Sequence, residues 1–215
     1  MDYFPIFCNL KGKRCLIVGG GQVATHKAKG LLAAGAELRL VAPTLTPELG
    51  SLHACGDIEW VPATFAPQYL QSCWLVIAAT SDPQVNRQVA RAASAERLFC
   101  NVADDPSAAT FISPAIIDHS PIIIALSCGG NAPVYSKILK AHVAAHLPPG
   151  MRESVRLAGA LRERVNSACS DRERKRAFWD AFFRHVPLQE ALAQEHEQEV
   201  KQQVEWLIQH KLLSE

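Results

Sequence analysis

No C-x-x-C pair, no apolar run long enough to cross a bilayer and no appreciable net charge occur in this 215-residue chain. Each absence excludes a class. The seven cysteines are scattered, several of them inside apolar strand-like runs, so they read as reduced, buried thiols of a cytoplasmic protein and not as a disulfide framework or zinc ribbon. The longest apolar runs, such as Pro121 to Leu126, fall far short of the roughly 20 residues that a spanning helix needs. The opening MDYFPIF has no basic segment leading into an apolar core and so does not read as a signal peptide. A formal charge of +1 provides no global field for nucleic acid or a membrane surface. Internal repeats and low-complexity tracts are also missing. The length fits one generous domain, or a domain with a smaller appendage.

What the chain does contain is a glycine cluster in a telling place. Cys15-Leu16-Ile17-Val18 is a buried-strand pattern, and Gly19 to Ala24 (GGGQVA) fits G-x-G-x-x-A, the dinucleotide-binding fingerprint. In that pattern Gly19 permits the tight turn, Gly21 lets backbone approach a pyrophosphate, and Ala24 lets the helix pack on the strand. Free N–H groups of the first helical turn then face the anion. A glycine triplet alone is a common turn; its context is more specific. A helix-compatible stretch from Gln22 to Ala34 follows, then a second strand-like run, Leu38 to Val41, completing a βαβ unit. That second strand ends in Ala42-Pro43-Thr44, with no acid to hold a ribose 2′-hydroxyl, so spacing leaves NAD and NADP open.

Further strands are expected at Ile58 to Val61, Trp74 to Ala79 and Leu98 to Val102. Asp82 and Pro83 form a cap and first turn for a helix that carries Val85, Val89 and Ala93 on one stripe through Ala95. This alternation predicts a doubly wound, Rossmann-like α/β domain over residues 1–113, with its ligand beyond the strand C-termini. After Asp105-Pro106 the texture changes. Strand-like runs at 110–112 with 115–117, and at 122–126, are separated only by Asp118 to Pro121, too little for a helix, so they are expected to pair antiparallel. A helix from about Val134 to His146 completes a small α+β dimerisation region, 114–147, and Pro148-Pro149-Gly150 opens a helical domain over 148–215. Helices are expected there at 152–165, at 171–184 and in a final stretch to Leu213.

Other constellations have bland readings beside them. Arg172, Arg174 and Arg176 belong to a locally basic segment, which is either a solvated helix face or a binder of carboxylates. His142 and His146 lie four apart on one helix face, but no third ligand is near in sequence, so no metal site is expected. Cys128 beside Gly129-Gly130 is a weak candidate nucleophile. Asp104 and Asp105 end the fifth strand on the same sheet edge as the glycine turn, within plausible reach of a nicotinamide. None of the three tyrosines has a lysine four residues on, which argues against a generic short-chain dehydrogenase.

Four stretches in order, CLIVGGGQVATHKAK, WLVIAATSD, FCNVADD and IALSCGGNAPV, together with RERKRAFWDAFF, resemble the N-terminal module of siroheme synthase, the precorrin-2 dehydrogenase and sirohydrochlorin ferrochelatase family, over essentially the whole chain. The resemblance implies a Rossmann domain, a dimerisation region and a helical domain, in a cytoplasmic homodimer. It implies NAD-dependent oxidation of precorrin-2 to sirohydrochlorin, followed by insertion of ferrous iron, a substrate, to give siroheme. By position, Gln22-Val23 would lie at the cofactor phosphates and Pro43-Thr44 near the adenosine end. Asp104 would be the acid–base residue, with Thr80 and Asn101 lining the same edge. Cys128-Gly129-Gly130 and the arginines at 172, 174 and 176 would meet the carboxylate-rich tetrapyrrole. The chain departs from the family at Cys128, usually serine, and at Asp105, usually a small residue. The alternative from another class is a non-catalytic NAD-binding sensor on the same fold.

Overall fold

A computed structural model of the chain describes residues 2–130 and 132–213; Asn131 of the Ser127 to Val134 stretch lies outside them. The chain forms two compact units that divide after Ser113, with the glycine pair at 129–130 grouped in the first.

Five parallel strands form the sheet of the first unit: β1 (Arg14–Val18), β2 (Glu37–Val41), β3 (Ile58–Val61), β4 (Leu75–Ala78) and β5 (Phe99–Val102), in the order β3-β2-β1-β4-β5. Successive side chains serve opposite faces, so one sequence run feeds two cores. Cys15, Ile17, Leu38, Leu40, Leu75 and Ile77 pack with Ala24, Ala28 and Leu31 of α1 (Gln22–Ala33) and Leu49 of α2 (Pro47–Ala54). Leu16, Val18, Val41, Val76, Ala78, Cys100 and Val102 pack with Val89 and Ala93 of α3 (Pro83–Ala95). The strand order reverses between β1 and β4, which makes their C-terminal ends the switch point where doubly wound sheets bind ligands.

All five expected strands are present. Helix α3 starts as expected, with the Asp82 carboxylate accepting the Gln84 N–H at 2.7 Å and Pro83 in the first turn. Helix α2 was not anticipated, because PELGSLHA has a Gly in its middle and only a short apolar stripe. Thr46 nucleates it by accepting the Leu49 N–H. Residues 110–112 form no strand in the described structure, contrary to the alternation pattern. Thr110 N–H and Oγ1 both engage Cys100, and the Asn101 side chain donates to Phe111 O, so the segment is stitched irregularly to β5.

The second unit opens with the hairpin β6 (Ala115–His119) and β7 (Ile122–Leu126), antiparallel in the register Ile117↔Ile124, followed by α4 (Pro133–Ala145). Helices α5 (Met151–Ala168), α6 (Arg172–Arg184), α7 (Val186–Ala193) and α8 (Glu197–Leu207) then enclose Phe178, Phe182, Val165, Leu188 and Leu207. The hairpin belongs to the same unit as this bundle. The expected final helix is broken into α7 and α8 near Glu195, whose φ of 58° no α-helix accommodates. Gly150 opens α5 with φ 72°, and an added Cβ would press on the Ala193 backbone at 2.9 Å. No helix among the described residues is long and apolar enough to cross a membrane.

Candidate active site

Steric necessity fixes the glycine turn. Gly19 has φ 126°, and a Cβ there would overlap the Ala79 carbonyl of the residue leaving β4. Gly20 sits so close to the exit of β2 that a Cβ would overlap the Thr44 carbonyl oxygen. Gly21 differs: among the described residues nothing lies within 4 Å of where its Cβ would be, and it is the N-cap of α1. That open space is what an approaching pyrophosphate requires. Among the described residues no side chain caps α1, and its first turn holds no acid, so the leading N–H groups and the positive end of the helix dipole are left for an anion. Gln22 and Val23 flank that turn, exposed, whereas Ala24 is fully buried against the sheet. The residues therefore fit a dinucleotide phosphate.

The exit of β2 is tied to the same turn. Thr46 N–H donates to Gly20 O at 2.9 Å, and the Thr25 and Thr46 hydroxyls lie 2.9 Å apart. Thr25 Oγ1 donates to Gly21 O, so Thr46 supplies the proton between the two hydroxyls. Pro43 and Thr44 are exposed just beyond the end of β2.

On the other side of β4, Ala103 N–H donates to Ala78 O and carries β5 into Asp104. Asp104 is exposed, and its Oδ1 accepts from Asn86 Nδ2 at 3.1 Å. Thr80, expected to line the cofactor, has an internally engaged hydroxyl: Asn86 Oδ1 is 2.8 Å away and Asp82 O 3.0 Å, while Asp82 N–H donates to it. Asp105 caps the short turn 106–108. Its Oδ1 accepts from Ser107 Oγ at 2.6 Å and from Ser107 N at 3.1 Å, and the Ser107 hydroxyl bond holds its carboxyl below the usual range. The two adjacent acids thus have different occupations, one in a turn and one on the open edge.

Asn101 lies just behind this edge. Its Nδ2 donates to Phe111 O at 3.0 Å, and its buried Oδ1 has no donor among the described residues. Gly129 and Gly130 have φ of 62° and 83°, and Gly130 lies against Pro106, whose Cγ is 3.8 Å from where its Cβ would be. Cys128 is half-buried; burial raises Cys15 and Cys100 to about 11, leaving those core thiols protonated.

Arg172, Arg174 and Arg176 lie on α6 of the second unit. Part of the basic tail is structurally engaged: Arg164 makes a bidentate bond to Glu205 at 2.6 and 2.7 Å, Arg184 pairs with Asp180, and Arg152 donates to Ser120 O. The His142 and His146 rings lie 4.3 Å apart and tilted by 38° at the exposed C-terminal end of α4. Among the described residues no three metal-ligating side chains gather. Sequence reading missed two participants. Gly20 counted as a free position of the fingerprint although its backbone contact forbids a side chain, and Asn86 carries no motif beyond its place in the first turns of α3.

A parallel sheet of order 3-2-1-4-5 with a phosphate-ready turn at its switch point defines a dinucleotide-binding domain. Residues 6–115 match a family model described as putative NAD(P)-binding, and residues 155–208 match one described as the sirohaem synthase dimerisation region. Siroheme synthase 3 of Aeromonas hydrophila is 48% identical over 193 residues, 90% of this chain and 41% of that relative. Siroheme synthase 2 of Serratia proteamaculans is 43% identical over 98% of the chain and 45% of its own length. The chain belongs to the family of siroheme synthase N-terminal modules. It spans less than half the length of these curated relatives. A solved structure titled SirC, precorrin-2 dehydrogenase, shares the fold, with a TM-score of 0.71, 23% identity and coverage of 91% of this chain and 100% of that one. The dimerisation model falls on α5 to α8, C-terminal to the 114–147 segment to which the sequence pattern points.

Proposed function

We propose that the chain oxidises precorrin-2 to sirohydrochlorin with NAD, and that Asp104 takes the proton released. The observation that carries this reading is the placement of Asp104: an exposed carboxylate at the end of β5, on the edge that holds the glycine turn, anchored on one oxygen by a buried amide. Bound there, the nicotinamide would supply the hydride acceptor. The chain's own part is to hold the dinucleotide phosphates on the first-turn N–H groups of α1, beside Gln22 and Val23. The adenosine end would rest on Pro43 and Thr44, and Gly129-Gly130 would leave room for the macrocycle above Pro106. Asp105 is a turn cap in this reading, since the Ser107 hydroxyl and amide already occupy its Oδ1.

Insertion of ferrous iron is the second step of the proposal. Metallation displaces two pyrrole protons, and the carboxylate that serves the oxidation can accept them. Iron enters as a substrate held by the macrocycle's nitrogens. The arginines of α6 match the carboxylates of the tetrapyrrole in charge, and the active form is proposed to be a homodimer.

The test is turnover by the purified chain. Incubation with NAD and precorrin-2 should produce sirohydrochlorin and NADH in equal amounts, and ferrous iron added afterwards should yield siroheme. Binding of NAD without NADH production identifies a sensor and overturns the enzymatic reading. Oxidation without metallation confines it to the first step.

A further inference from the structure

The side chain of Asn86 is 1% exposed and has its hydrogen-bonding capacity fully used. Its Oδ1 accepts from Thr80 N at 3.1 Å and lies 2.8 Å from Thr80 Oγ1; its Nδ2 donates to Thr80 O at 3.1 Å and to Asp104 Oδ1 at 3.1 Å. The two backbone partners fix which end of the amide is which, because a backbone N–H needs the oxygen and a backbone carbonyl needs the nitrogen. One N–H is therefore committed to Asp104. Rotation of the amide would turn an oxygen onto the carboxylate and leave Thr80 N–H facing a donor.

We infer that Asn86 is a positioning residue for the Asp104 carboxylate. The inference rests on the proposed role of Asp104 as proton acceptor. An exposed aspartate at a strand end samples several rotamers, and a base works only within hydrogen-bond reach of the proton it removes. A buried donor held by three contacts to Thr80 restricts that sampling without covering the carboxylate. Oδ1 is held, and Oδ2 is left without a protein donor among the described residues. Asn86 also joins two neighbouring strand ends, β4 through Thr80 and β5 through Asp104. The acid is thereby kept in register with the edge where the cofactor is proposed to lie. No motif or family description assigns Asn86 a role; its burial and four bonds do.

The kinetic test uses the full chain with NAD and precorrin-2. Asn86→Ala should lower kcat by about 10–100-fold, the usual cost of losing a group that orients a reactive one, with substrate KM and NAD affinity within about threefold of the parent. In an Asp104→Asn background the same substitution should change kcat by less than about threefold, because the orientation it provides no longer matters. Equal losses in both backgrounds, or a parallel loss of NAD affinity, would show that Asn86 merely supports the fold. Asn86→Asp keeps the acceptor for Thr80 N–H but replaces the donor to Asp104. Failure to restore kcat in a chain that still binds NAD supports the positioning role, and full restoration overturns it. A second measurement does not depend on Asn86 variants folding. The side-chain amide resonances of Asn86 in labelled protein should move in Asp104→Asn and stay in place in Asp105→Asn; no movement in Asp104→Asn removes the contact on which the inference stands. That readout is independent of turnover. Failure of the proposed oxidation would appear instead as an inactive parent chain with the amide contact intact.

Discussion

Gly20 and Thr44 are in backbone contact so close that a single methyl group on Gly20 would overlap the Thr44 carbonyl oxygen. The neighbouring Gly21 has open space where its side chain would be. These adjacent glycines therefore separate two demands on the turn, folding at Gly20 and ligand access at Gly21. Gly20→Ala should destabilise the domain by about 1–3 kcal/mol or more, the cost of forced overpacking against backbone, and should lower its melting temperature by several degrees. Gly21→Asp should leave melting nearly unchanged but abolish NAD binding, since it places a side chain and a negative charge at the anion site. Calorimetric titration and thermal melts on both variants check this; unchanged NAD affinity in Gly21→Asp would remove the turn from the binding site.

The sheet was legible because parallel strands covered on both faces must be apolar throughout, and runs such as Leu75 to Ala78 have few other uses. The glycine turn was legible as well, since few other sequences follow such a strand with three glycines. Helix α2 and the fate of 110–112 were not. Local propensity is weak in PELGSLHA and misleading in TFI, where tertiary bonds to Cys100 outweigh strand tendency. The place of Asp104 just beyond the end of a strand was legible in the sequence. Asn86 was not, because an asparagine in the first turns of a helix is ordinary until its burial and partners are known.

Asp105 links the site's edge to pH. Its carboxyl is held below the usual value, mainly by the Ser107 hydroxyl, so the folded state favours the ionised form. A depressed folded pKa contributes stability that is present above the ordinary value of 3.8 and is lost as pH falls through the folded value. Wild-type chain should therefore melt slightly above Asp105→Asn at neutral pH, and the two should converge below pH 3.8. Parallel melting curves down to acid pH would show that the bond to Ser107 contributes nothing.

The hairpin leaves Ile116, Ile123 and Ala125 exposed on one face, paired across the strands with Ala125, Asp118 and Ile116, while α4 exposes Val134, Tyr135 and Ile138. A two-stranded sheet with an apolar outer face is not stable in isolation, and association with a second copy would cover it. Sedimentation at micromolar concentration should show a dimer. Ile123→Asp should shift it toward monomer with helical content retained; an unchanged dimer would confine the contact to residues 155–208.

Replacing Arg172, Arg174 and Arg176 together by Ala should raise the KM for tetrapyrrole more than it lowers kcat. Each exposed ion pair is worth about 0.2–1 kcal/mol, so the combined shift should be limited and should weaken further as salt is raised. An unchanged KM at low salt would exclude these three arginines from tetrapyrrole binding.

Asp104 and Asp105 are adjacent in sequence but differently employed, and this difference gives the sharpest test of the proposed chemistry. Asp105 Oδ1 is taken up by Ser107, whereas Asp104 offers an exposed carboxylate with one oxygen held by Asn86. Asp104→Asn keeps the shape of the side chain but cannot take a proton at neutral pH. Oxidation of precorrin-2 should fall by about 10²–10⁴-fold, the usual contribution of a positioned acid–base group, with NAD affinity nearly unchanged. Metallation should fall by a similar factor, because the same carboxylate is proposed to accept the pyrrole protons. Asp105→Asn should cost much less in either reaction. Steady-state rates for both activities, measured on both variants, distinguish the outcomes. Greater sensitivity at Asp105 would place the base one residue along and leave Asn86 without its proposed client. Loss of oxidation alone at Asp104 would separate the two activities and require a different proton acceptor for iron insertion.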